Sequence, residues 1–287
     1  MKKRKSTLKQ KMSEYKRTPG SFIMYLLIHL SAAGCVFFMV FIIAYILVKG
    51  VPNLNLDLFS WKYTSDNVSM MPAIINTLYI TALTLLFSVP VGVCAAVYLA
   101  EYAKRSSKLV RIIRITNETL AGIPSIVYGL FGFLAFVIFM GWSYSLIAGV
   151  LTLSIMVLPT IIRTTEEALL SVPDSYREGS FGLGAGKLRT VFKIIVPAAM
   201  PGILSGVILA IGRIVGESAA LIFTAGTSPV AATGLLDSAR TLSVHMYCLL
   251  SEGLYTKQAY ATAVVLLVVV IAINALSEFA AKKLTKA

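Results

Sequence analysis

The sequence predicts an all-α integral membrane protein with six transmembrane helices and a structured cytoplasmic loop between the fourth and fifth. Three observations carry this. Only 14% of the 287 residues are charged and 57% are hydrophobic, whereas soluble domains hold about 25% charged residues. Six apolar runs reach the length of about 20 residues that a hydrocarbon layer of about 30 Å requires. The 26 Lys and Arg residues fall mostly on one side of those runs. Helices satisfy their own backbone in lipid, and the alternating pattern of an outer-membrane barrel is absent.

Taken in order, Met1 to Ser21 form a basic tail with eight Lys and Arg. The first run, Phe22–Val48, continues well past "SAAGC" at Ser31–Cys35, so it is longer than the 7–15-residue core of a signal peptide and reads as a retained helix. With the outer loop Lys49–Met71 it makes a first segment, 22–71. The second run is Pro72–Ala100, and the connector Glu101–Thr119 after it holds five basic residues. Leu120–Trp142 and Ser145–Ile162 are the third and fourth runs. Pro90, Pro124 and Pro159 lie inside runs two to four, where proline kinks a helix and frees backbone groups.

The connector from Arg163 to Met200 holds five more basic residues. The fifth run is Pro201–Gly226, an outer loop spans Thr227–Gln258, and Ala259–Ala281 is the sixth. Residues 72–281 form the main transmembrane domain, and 282–287 a basic end. In all, 21 basic residues lie on the side of both termini and four on the other, with Arg213 left inside a run. The positive-inside rule then places both termini in the cytoplasm of a multi-pass cell-membrane protein. The net charge of +13 follows from this topology and from attraction to anionic headgroups. No compact basic domain with aromatic platforms exists, so nucleic acid is not a partner. Cys35, Cys94 and Cys248 have no metal or disulfide spacing. His29 and His245 are isolated, suiting helix packing and loop surface respectively.

The cytoplasmic loop, about 165–200, is broken by Pro173, Gly182, Gly184, Gly186 and Pro197. Two short amphipathic helices are expected, about Ser175–Leu183 and Lys187–Ile195, joined at glycines that tolerate unusual backbone angles. With Asp174, Arg177 and Glu178 exposed, the loop reads as a surface for another protein. "GLGAGKL" at Gly182–Leu188 fails as a phosphate-binding loop, because Phe181 stands where the first glycine belongs and Leu188 where Ser or Thr should be.

The fifth run carries Arg213 and Glu217 at its middle. On an unbroken helix, residues four apart share a face, about 6 Å apart along the axis. A charge at the bilayer centre costs about 2.5–3.5 kcal/mol even on the insertion scale, so both must face the bundle interior or an aqueous path. Two readings stand at this point. In one, the pair is buried together to fix helix packing, or Arg213 bonds to a partner subunit; in the other, Arg213 offers an oxyanion such as phosphate a planar, bidentate hold with Glu217 restraining it. Gly202, Gly206, Gly212 and Gly216 suit close helix packing.

The loop has a recognisable pattern. Glu178-Gly179-Ser180 is followed by three residues, then Gly184, nine residues, and Ile194-Ile195-Val196-Pro197. This resembles the "EAA" loop of type I ABC importer membrane subunits, in which Glu-Ala-Ala, three residues, Gly and nine residues precede Ile-x-Leu-Pro. Gly179, Ser180 and Val196 depart from it, each small or apolar. "AGIPSIVYGLFG" at Ala121–Gly132 and "GRIVGESAALIFTAG" at Gly212–Gly226 are similar to segments of the permeases of ABC phosphate importers, closer to the PstA than the PstC type. Ser218-Ala219-Ala220 stands where that family usually has Thr-Ala-Pro. The resemblance covers about residues 72–281.

It implies a permease subunit without an ATPase or cofactor of its own, ATP being bound by a partner. It implies a coupling loop (Asp174, Arg177, Glu178, Gly179, Ser180, Gly184, Ile194, Pro197) docked on two ATP-binding subunits. It further implies a PstC-like partner permease, an extracytoplasmic phosphate-binding protein and a pathway at Arg213 and Glu217. Metal ligands and catalytic residues are not expected. Against it stand a permease for another oxyanion or small solute and, in a different class, an ion channel or ion-coupled carrier.

Overall fold

The computed structural model describes residues 19–104 and 107–286. Residues 1–18, which hold all eight basic residues of the tail, and Arg105 lie outside the described residues. The chain divides into two units, 1–49 and 50–287.

The described part of the first unit is one helix, α1 (Pro19–Gly50). Phe22 to Val48 along it are mostly exposed apolar side chains, as expected of a segment whose natural solvent is lipid. Phe37, Phe41 and Tyr45 stack along one side at ring spacings of 6.2 and 6.3 Å, and His29 donates to the Tyr25 carbonyl at 2.8 Å.

The second unit is a helical bundle. Its helices are α2 (Met71–Val97, prolonged by a π-turn to Tyr102), α3 (Lys108–Ala121), α4 (Ser125–Gly132, prolonged by a π-turn to Phe139) and α5 (Leu146–Ser171). Then come α6 (Asp174–Gly182), α7 (Lys187–Thr190), α8 (Val196–Gly216), α9 (Ala219–Thr224), α10 (Leu242–Glu252) and α11 (Thr256–Lys286). A π-turn over Val191–Ile195 joins α7 to α8. Helix α5 is the hub, buried on most sides, and packs on α2 and α8. Its Leu153, Met156, Val157 and Ile161 share a core with Ile80, Ile214 and Leu221. Gly206 and Gly202 let α8 approach α5: a Cβ at Gly202 would lie 2.6 Å from Ala168 Cβ, and one at Gly206 would lie 2.7 Å from Thr164 Cβ. Gly216 faces open space, so only part of the expected glycine seam packs.

Among the described residues five helices are long and apolar enough to cross a membrane, or six if the bent pair α3–α4 counts as one span. The expected third run, Leu120–Trp142 with a kink at its internal Pro124, is here a broken pair whose first part begins earlier, at Lys108. The two parts meet at 103° across Gly122, Ile123 and Pro124. Pro124 disfavours helical angles at Ile123, and Pro124 itself caps α4 with ψ 141°. Pro90 and Pro159, by contrast, lie inside continuous helices.

The fifth span differs too. It is one helix from Lys187 to Gly216, so the expected second short helix of the loop is its first two turns. Pro197 lacks the N–H that would close a regular turn there, and the π-turn over Val191–Ile195 immediately precedes it. The helix stops at Gly216 rather than at Gly226, because Glu217 is extended at φ −73°, ψ 130°.

Outside the spans, the chain after Gly226 folds back over the start of α5. Leu146 N–H and Ile147 N–H donate to the carbonyls of Asp237 and Leu235. Asn76, fully buried near the start of α2, clamps this segment. Its amide donates to Val230 O (3.0 Å) and Arg240 O (3.2 Å) and accepts from Ala232 N–H (2.9 Å).

Candidate functional site

Two places combine polar chemistry with an open position: the loop between α5 and α8, and a cavity on the α8–α11 face. In the loop, Pro173 starts α6, and Asp174 sits in its first turn, where a carboxylate suits the helix N-terminus. The turn after α6 is closed by Gly184 N–H on Phe181 O (2.9 Å) and Ala185 N–H on Ser180 O (3.1 Å). Gly184 takes φ +80°, a left-handed angle that costs a side-chain-bearing residue about 1–2 kcal/mol. Ser180 is buried and its hydroxyl bonds Thr190 Oγ1 at 2.8 Å, pinning the two arms of the loop together. Ile195 is fully buried and Ile194 packs beside it, while Pro197 is exposed.

Glu178 and Gly179 are exposed, and so is Asp174. Arg177 is not, which corrects the expectation that it belongs to the outward surface. Its guanidinium turns inward to Glu101 in the last turn of α2, with Nη2 2.6 Å from Oε1. Beside Asp174 and Glu178 the loop presents apolar side chains outward. Leu183 is 90% exposed and Leu188 68%. Such a rim beside Glu178 marks an interaction surface.

The cavity, of about 720 Å³, is lined by Thr160 of α5, Ser205, Ile208, Leu209, Gly212 and Arg213 of α8, and Asn274 of α11. Asn274 Oδ1 is buried without a hydrogen-bond partner. Arg213 and Glu217 do not meet, and this overturns the packing pair. The break at Gly216 carries Glu217 off the helix face. Its buried carboxylate accepts from Ala220 N–H at 3.1 Å, and its carbonyl accepts from the Ser243 hydroxyl. Among the described residues Arg213 makes no ion pair. Gly216 and Ser218 around Glu217 were the sequence signal for the break. Nothing in the sequence pointed to Asn274, Glu101 or Asn76 as partners.

His245 also differs from its expected place on the loop surface: it is fully buried, its ring edge-on to Tyr63 at 6.3 Å. No group of three or more His, Cys, Asp or Glu among the described residues could hold a metal ion.

A bundle of spanning helices, with a structured loop between two of them and an arginine that opens onto a cavity in the last turn of α8, fits a membrane transport subunit. Residues 88–287 match the family of binding-protein-dependent transport system inner membrane components, and the chain belongs to that family. It is thus a multi-pass inner-membrane permease component that serves a substrate-binding protein, with ATP hydrolysed by a separate subunit. It is 37% identical over 240 residues to the probable ABC transporter permease protein YqgI of Bacillus subtilis, covering 78% of this chain and 81% of that one. It is 34% identical to the phosphate transport system permease protein PstA of Haemophilus influenzae, covering 83% and 84%. Among solved structures, a bacterial alginate ABC transporter with its alginate-bound periplasmic protein has the same fold, at a TM-score of 0.69 and 16% identity over 95% of this chain and 98% of that one. The MetNI methionine ABC transporter does so at 0.55 and 22%, over 76% and 93%.

Proposed function

We propose that this chain is one half of the translocation pore of an ATP-driven phosphate importer of the PstA type. Arg213 carries the reading: a guanidinium in the last turn of the spanning helix α8, just before the break at Gly216, lining an open cavity and, among the described residues, paired with no carboxylate. An unpaired cation on a membrane span is expensive unless an aqueous path or an anionic ligand meets it. A guanidinium matches phosphate oxygens in pairs, and the similarity to PstA proteins favours phosphate among oxyanions. A single arginine flanked by Thr160, Ser205 and Asn274 suits conduction, which needs a hold weak enough to release. Glu217 acts through the α9 turn rather than as a restraint on Arg213.

In this reading a PstC-like subunit supplies the other half of the pore. Two ATP-binding subunits dock on Glu178, Leu183 and Leu188, and a phosphate-binding protein docks on the outer loops. Both termini lie in the cytoplasm, and the chain binds no cofactor itself. ATP-driven closure moves the loop and opens the cavity outward, where phosphate delivered by the binding protein meets Arg213.

The test is labelled-phosphate uptake by the reconstituted complex. Arg213→Ala should lower uptake by roughly 10–150-fold, the loss of one hydrogen-bonded charge contact worth about 1.5–3 kcal/mol. Arg213→Lys should fall between, since an ammonium lacks the bidentate geometry. Undiminished uptake in Arg213→Ala would refute the pathway role. Uptake that persists without ATP would favour a channel or ion-coupled carrier, and sulfate transported in preference to phosphate a different oxyanion permease.

A further inference from the structure

The last turn of α2 is gripped from both arms of the coupling loop. Arg177, on α6, spreads its guanidinium over three elements. Nη2 bonds Glu101 Oε1 at 2.6 Å, and Nε reaches both carboxylate oxygens at 3.2 and 3.4 Å. Nη1 donates to Val172 O at 2.9 Å and to Asp174 Oδ1 at 3.1 Å, and Nη2 to Leu169 O at 3.0 Å, so the guanidinium also holds the carbonyls at the end of α5 and a carboxylate of α6 itself. The Glu101 side chain is only 8% exposed and that of Arg177 17%. From the other arm, the Lys187 ammonium sits 5.0 Å over the ring of Tyr102, next to Glu101. A cavity of about 640 Å³ adjoins the pair, lined by Ser171, Pro173 and Phe181 among others.

At its opposite end α2 holds the outer segment through the three hydrogen bonds of Asn76. Between Asn76 and Glu101 the helix carries its own backbone bonds for about 38 Å, at 1.5 Å per residue. A buried carboxylate cannot part from its guanidinium without being left uncompensated in a poor solvent for charge. Glu101 must therefore follow Arg177 wherever α6 goes.

We propose that the Arg177–Glu101 pair is a strut that delivers movement of the coupling loop to α2, and that α2 carries it to the outer segment held by Asn76. Arg177 is thus a positioning residue rather than a docking contact. The inference rests on the importer reading above.

The experiment uses the whole complex with its binding protein. For wild type, Arg177→Ala, Glu101→Gln and the exchange Arg177→Glu with Glu101→Arg, four quantities are measured: co-purification of the ATP-binding subunit, basal ATPase, its stimulation by phosphate-loaded binding protein, and phosphate uptake. The single variants should retain the ATP-binding subunit and basal ATPase. Stimulation and uptake should fall at least ~tenfold, within the usual range of coupling between sites. The exchange should recover most of both. Should Arg177→Ala fail to accumulate in the membrane, Glu101→Gln, which keeps shape and hydrogen bonding, decides by the same criteria. Single variants that stay fully stimulated overturn the strut. So do variants that lose the ATP-binding subunit, because Arg177 would then be a docking contact. A wild-type chain that retains no ATPase refutes the importer reading itself, and the strut with it.

Discussion

Two arginines set among apolar helices, Arg213 and Arg240, are accommodated in different ways. Arg213 opens onto a cavity with Asn274, Thr160 and Ser205 around it. Arg240 is 4% exposed and lies 5.0 Å over the ring of Tyr63, with Nε and Nη2 buried and unpartnered. The aromatic face is its compensation. Tyr63 also meets His245, outside the spanning helices, and burial followed by the Arg240 charge pushes that imidazole down to about 3. His245 is therefore neutral in the folded chain, while in the unfolded chain it titrates near 6.5. The stabilisation is whole above pH 6.5 and is lost as pH falls towards 3, because the unfolded state then takes up a proton that the folded state refuses. Between pH 6.5 and 5 this amounts to about 2 kcal/mol. Thermal melting of the detergent-solubilised protein should fall over that interval, and His245→Gln should flatten the fall. An equally steep fall in the variant would place the sensitivity elsewhere.

At the scale of elements, the chain sets its own breaks with local chemistry and then uses them. Gly122 to Pro124 turn α3 against α4, and Gly184 reverses the coupling loop. The stop at Gly216 frees Glu217 to cap α9. Apolar run length made the spans legible, and the glycines after Glu178 made the turn at Gly184 in the α5–α8 loop legible. The inward turn of Arg177 was not legible, because Glu101 is 76 residues away in the chain and looks like any acid at the end of an apolar run. The Arg213–Glu217 pair failed because spacing of four implies a shared face only while the helix continues. Its end here depends on a buried cap made by tertiary packing. The α5–α8 seam gives a direct test of element packing. Gly206→Ala sets a methyl against Thr164 and should lower stability by about 1–3 kcal/mol, as overpacking does. Gly216→Ala, which meets nothing within 4 Å, should leave thermal melting unchanged. Equal melting of both variants would mean that α8 does not pack on α5 through Gly206.

For the whole molecule, the same bundle joins the loop between α5 and α8, the cavity at the end of α8 and the segment after Gly226, with α5 as hub and α2 reaching from Glu101 to the Asn76 clamp. Family membership makes it the membrane component of a binding-protein-dependent system. Phosphate as the cargo is the central claim beyond that. The most direct measurement is labelled-phosphate uptake into proteoliposomes holding the complete complex, with binding protein outside and ATP inside. The account predicts uptake that needs both ATP and the binding protein, survives an excess of sulfate and falls with Arg213→Ala. Uptake that continues without ATP, or a complex that carries sulfate and leaves phosphate behind, would contradict it.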